Sequence, residues 1–139
     1  MNNIGVDHGN WGESVAVSYL RKIKYEILER NARPVSSDKR LELDIVAVDK
    51  VSRTLVFVEV KQHKSRGIVS ISRLKSVDKR KRKNIKAAAN YWRLINKRLG
   101  GCRFDVIQIF GTPEVGIEEI IHTKDVRLFG EKDRHVNWS

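Results

Sequence analysis

Apolar residues recur along the chain with two periods, one helical and one of two. Over residues 10–23, Ala16, Leu20 and Ile23 step by three or four with Tyr19 beside them, which predicts a helix capped by Asn10 or Asp7. Residues 25–33 alternate at Tyr25 and Ile27 and read as a strand, and 34–40, with Pro34, two Ser and Asp38, read as a loop. Residues 41–49 and 54–61 are both rich in Val, Ile, Leu and Phe, and 50–53 is a polar turn between them, so the pair predicts a hairpin. A second helical period joins Leu74, Val77, Ile85, Ala88, Trp92, Ile95 and Leu99, with Gly100 and Gly101 as its C-cap. Residues 103–110 form a strand facing inward through Phe104 and Val106, or through the alternate set if the register slips. Residues 116–122 are a last strand or a helical turn, and 126–139 are expected to be a loose tail on a single domain of residues 1–125. The succession implies an α/β fold.

The hairpin carries charge where a core strand should be apolar. If Asp49 and Thr54 close it, Asp44 lies opposite Glu59 with Cβ atoms roughly 4.5–5.5 Å apart. Two carboxylates that close repel unless a proton or a cation sits between them. Strand alternation puts Lys61 on the face of Glu59, about 7 Å further along. Leu55 and Phe57 share that face while Val56, Val58 and Val60 take the other, so the strand is apolar on both sides at its start, as beneath helices on both faces. Charge comes only at its end, where a sheet opens into a crevice. An isolated E-x-K is more often a strand-end ion pair; an Asp directly across favours a metal site. Glu13 shares the inward stripe of the first helix and is either a further acid for this site or an acid placed by the helix dipole. Glu42, on the face of Asp44, is a reserve acid or a solvated strand end.

Composition changes the picture through charge. The 139 residues hold 28 Lys or Arg against 17 acids, a net charge of +11 that points to a polyanionic partner, nucleic acid before membrane. Eleven of these cations and the single acid Asp78 fall within residues 61–86. Lys79, Arg80, Lys81, Arg82 and Lys83, with Arg73 upstream, are expected to coat the flank of a crevice and meet phosphates. Lys81 falls on the inward stripe of its helix, so it should face something anionic near the sheet or snorkel outward. Cys102 is alone and the four histidines lack zinc spacing, which argues against disulfides and zinc. No apolar run approaches membrane length and the first residues show no signal-peptide pattern, so a cytoplasmic setting is expected. Nucleophile elbows, phosphate-binding glycine loops and dinucleotide fingerprints are missing from the sequence.

Glu13, Asp44 and Glu59-Val60-Lys61, in that order, resemble the PD-(D/E)XK, or restriction-endonuclease-like, superfamily. More closely, the chain resembles the bacterial YraN-type family of uncharacterised proteins. That resemblance spans roughly the first 110 residues. It rests on Gly12-Glu13, Ala16 and Tyr19-Leu20, then Tyr25 to Asn31, Glu42-Leu43-Asp44-Ile45-Val46-Ala47, Val56-Phe57-Val58-Glu59-Val60-Lys61, Lys81, and Arg103-Phe104-Asp105-Val106. It implies a mixed central sheet flanked by helices and a Mg²⁺ or Mn²⁺ site at Asp44, Glu59 and the Val60 carbonyl, assisted by Glu13. Lys61 would orient water or offset charge in the transition state. The implied activity is phosphodiester hydrolysis in DNA, with branched, junction-like substrates expected by analogy alone. A homodimer would suit a junction. Leu41 stands where the family usually has Gly, and His63 where it usually has Arg. The rival expectations are a binding module that keeps the fold without cutting, and an interaction protein on an RNA-containing assembly.

Overall fold

The computed structural model describes residues 8–67 and 79–128. Its elements are helix α1 (His8–Lys22), strands β1 (Tyr25–Ala32), β2 (Leu43–Asp49) and β3 (Thr54–His63), helix α2 (Lys79–Ile95), and strands β4 (Cys102–Thr112) and β5 (Gly116–Thr123). The five strands form one mixed sheet in chain order. β3 and β4 run parallel, as a helical crossover requires, and the other neighbours are antiparallel. This is the expected α/β class, compatible with a restriction-endonuclease-like arrangement, and 116–122 resolves as an edge strand.

Each face of the sheet is covered by one helix, which is why the central strands are apolar on both sides. Ala16, Val17 and Leu20 of α1 pack on Ile45, Ala47, Val56, Val58, Ile107 and Ile109. On the opposite face, Ile85, Ala88, Ala89 and Trp92 of α2 pack on Val46, Leu55, Phe57, Phe104 and Val106. β4 therefore buries both of its candidate inward sets. Trp92 is a core residue, as its spacing predicts, and its indole N–H donates to Glu29 Oε1 at 2.9 Å.

Two expectations about helix ends need correction. α1 starts at His8, so Asn10 is inside the helix, and Asp7 lies outside the described residues. α2 stops at Ile95 rather than at Gly100 and Gly101. Lys97 adopts φ 55°, and the N–H groups of Arg98 and Lys97 donate to the carbonyls of Arg93 and Leu94 at 2.8 and 3.3 Å. That is a Schellman closure with a lysine in the left-handed position. Because the helix ends there, Ile95 and Leu99 fall off the core-facing stripe and are exposed. Leu74 and Val77 lie outside the described residues. Past residue 125 the Val126 N–H donates to the Phe104 carbonyl at 2.7 Å, and Val126 and Leu128 pack against the α2-side core. Residues 129–139 lie outside the described residues.

Candidate metal centre and basic cleft

The β2–β3 ladder follows the register set by Asp49 opposite Thr54 and ends at Ile45 opposite Val58. Beyond that pair, β2 stays with β1 as far as Leu43 opposite Ala32, while β3 continues along β4 to His63. The sheet therefore splits at Asp44 and Glu59. The Val60 N–H, left without a partner on β2, donates instead to Asp44 Oδ2 at 2.9 Å. One carboxylate thus closes the split and fixes the Val60 backbone at the site.

Glu59 lies beside Asp44 on the α2 side of the sheet and is almost fully buried. Burial first, and then the charge and hydrogen bond of Asp44, push the Glu59 carboxyl up to about 8 against an opposing pull from Lys81. Lys81 Nζ sits 2.7 Å from Glu59 Oε2, reaching down from the first turn of α2. The inward-stripe lysine of the sequence has its anion, and that anion is the buried acid of E-x-K.

These groups floor a cleft of about 360 Å³. Lys39, Arg40 and Glu42 form one wall, and Arg80, Lys81 and Asn84 form the other. Glu42 is held by Arg33 Nε at 2.8 Å, and Arg40 forks onto Asp38. Lys61 is two residues past Glu59 on β3, half-buried beside Gln108 of β4. Lys79 and Lys83 are exposed on the first turns of α2, whereas the Arg82 guanidinium donates to the Arg127 carbonyl and ties down the chain beyond β5. Arg73 lies outside the described residues.

Glu13 is not gathered with the pair. α1 covers the opposite face, and the Glu13 carboxylate turns to edge strand β1, where it accepts from Asn31 Nδ2 at 2.9 Å and pairs with Arg30 at 3.6 Å. It still senses the site, since burial and then the Asp44 charge raise its carboxyl. Among the described residues no three His, Cys, Asp or Glu side chains converge as a metal cluster. Two carboxylates with a backbone group beside them still fit Mg²⁺ or Mn²⁺. Such ions keep several waters and take only one or two protein carboxylates plus substrate phosphates. Lys81 offers the acid pair a single positive charge, and a divalent cation would supply the second.

The site matches known proteins over its whole extent. Residues 12–109 match the model of the uncharacterised protein family UPF0102. A UPF0102 protein of Geotalea daltonii is 41% identical over 119 residues, covering 84% of this chain and 86% of its own. One from Desulforamulus reducens is 36% identical over 84% of this chain and 92% of its own, and one from Geobacter metallireducens is 44% identical over 73% and 77%. The chain belongs to UPF0102. This is the YraN-type family that its motifs resemble. The matched segment runs from Gly12 through β4 and so takes in both carboxylates, Lys61, the α2 cations and the α1 face.

A second polar cluster was not anticipated as a unit, although Tyr19, Tyr25, Arg103 and Asp105 stand in the motifs that carry the family resemblance. Asp105 is fully buried in β4 and accepts from Tyr25 Oη at 3.0 Å, Arg103 Nε at 2.8 Å and the Asp125 N–H at 3.1 Å. His122 Nε2 lies 2.7 Å from it, and His122 Nδ1 is 2.9 Å from Tyr19 Oη. Burial pushes the Asp105 carboxyl up, but bonds from His122 and Arg103 outweigh it and hold it at about 2. Arg103 also reaches Asp49 at 3.2 Å. The cluster pins α1, β1 and β5 to β4. Its sequence signal was a charged Arg103-x-Asp105 within an apolar strand.

Proposed function

We propose that this protein is a metal-dependent nuclease that hydrolyses phosphodiester bonds in DNA, branched substrates included. The observation that carries the reading is the pairing of half-buried Asp44 with buried Glu59 on one face of the split sheet, at the floor of a basic-walled cleft. Asp44 and Glu59 would hold Mg²⁺ or Mn²⁺, with the Val60 backbone beside them. A hard divalent cation bound there supplies charge neutralisation at the scissile phosphate and a more acidic water. Arg80 and Lys39, on opposite walls, draw the phosphate backbone into the cleft. Lys61 stands along β3 from Glu59, where an ammonium offsets the negative charge that builds on the phosphorane. Glu13 acts at a distance, through its charge on Asp44 rather than as a ligand.

The Lys81–Glu59 contact favours a second reading, since an acid pair neutralised by an internal ammonium can persist in a module that binds nucleic acid without cutting it. Cleavage of a panel of single-stranded, nicked, flapped and four-way DNA substrates separates the two. The nuclease cuts at least one of them with Mg²⁺ or Mn²⁺, and Asp44→Ala and Lys61→Ala each lower the rate by roughly 10²-fold or more. Tight binding without cleavage under either metal establishes the module instead.

A further inference from the structure

We infer that the Lys81 ammonium is a stand-in for the divalent cation, holding Glu59 until a metal arrives and then passing to a phosphate oxygen of the substrate. The inference rests on the metal-site reading above and adds a role for a residue outside the E-x-K motif. Its ground is the asymmetry of the contact. The Glu59 side chain is 5% exposed and fixed on a central strand, whereas the Lys81 side chain is 55% exposed although its Nζ lies 2.7 Å from Oε2. An ammonium on an exposed four-carbon stem can leave a buried carboxylate by rotating about its own side-chain bonds, with no movement of the backbone.

Asp44 and Glu59 repel each other unless a proton or a cation offsets their charge, and one ammonium supplies half of what a divalent ion would. An ammonium and a divalent ion on the same carboxylate repel each other at close range, so metal entry favours release of Lys81. Arg80 and Asn84 flank it on the same wall, where released charge faces the path of a phosphodiester. Metal and DNA binding are therefore coupled through one side chain. A phosphate that receives Lys81 favours the metal, and the metal frees Lys81 for the phosphate.

The test is Mn²⁺ binding to the full chain without DNA, read by electron paramagnetic resonance of free Mn²⁺, for wild type, Lys81→Met and Lys81→Arg, with Asp44→Asn as the blank. Lys81→Met, which keeps the stem and drops the charge, is expected to bind Mn²⁺ roughly five- to tenfold more tightly than wild type. Lys81→Arg is expected to stay near wild type. If wild type binds and Lys81→Met binds equally or more weakly, or Lys81→Arg binds as tightly as Lys81→Met, the stand-in role is overturned while the metal site remains. If neither wild type nor Lys81→Met binds Mn²⁺, the metal-site reading itself falls and the inference falls with it.

Discussion

Glu59 binds a proton more readily in the folded chain than in the unfolded one, although Lys81 opposes it. Burial, and then the Asp44 carboxylate, push the Glu59 carboxyl up to about 8 from the ordinary 4.5 of a glutamate. Between those pH values the folded state binds more protons than the unfolded one, so stability falls as pH rises through the window. Without metal, melting temperature is expected to drop by several degrees from pH 5.5 to 8, on the order of 1–3 kcal/mol. Glu59→Gln, which cannot ionise, should flatten that slope, and Mg²⁺ should restore wild-type stability at pH 8 through mass action. Thermal melts at the two pH values, with chelator and with Mg²⁺, check both statements. The sequence made this residue legible because a strand register follows from where its turn closes. What it could not convey was the partner on the third side, since whether the stem of Lys81 snorkels or folds inward depends on the position of α2 over the sheet.

The two helices explain which site residues came together and which did not. α1 and α2 have inward stripes of similar kind, and nothing in either pattern says which face of the sheet each covers. Glu13 was therefore legible as an inward acid, but not as one that ends against β1. The basic run of α2 divides by helical phase in the same way. Arg80 faces the cleft, whereas Arg82, two residues on, turns to the Arg127 carbonyl. Arg80→Ala is expected to weaken DNA binding and to reduce the slope of log affinity against log salt by about 0.9 for a duplex. Arg82→Ala should leave the slope unchanged and act on the packing beyond β5. Titrations at three or more salt concentrations distinguish them. The loop wall of Lys39 and Arg40 had no signal in the sequence, because a loop carries no period from which its side chains can be placed.

At the scale of the whole molecule, the sheet is held by two polar devices on opposite faces that meet different needs. The α2 side keeps an acid pair short of positive charge, and the α1 side satisfies an acid completely. Asp105, held at about 2, below the ordinary 3.8 of an aspartate, because the bonds from His122 and Arg103 outweigh burial, contributes stability above pH 4 that is lost as pH falls towards 2. Asp105→Asn is expected to cost about 1–3 kcal/mol, because it removes the carboxylate that Tyr25, His122 and Arg103 share and leaves Arg103 only Asp49 as an acid partner. It should also flatten the acid limb of the stability profile without altering Mn²⁺ affinity, as urea melts between pH 2 and 6 can establish. The α/β class and the first four strands were legible from apolar runs, whereas in the sequence the fifth stays open between strand and helical turn. The helix-to-face assignment and the Tyr19–His122–Asp105 chain were not, since they depend on contacts between residues as far as 103 positions apart.

The central claim concerns one cation position, and anomalous scattering from a crystal soaked in Mn²⁺ tests it most directly. The expected result is a peak within about 2.0–2.3 Å of a carboxylate oxygen of both Asp44 and Glu59, with Lys81 Nζ withdrawn from Oε2. A Mn²⁺-saturated crystal with no peak between these two residues, and Lys81 still paired to Glu59, would contradict it.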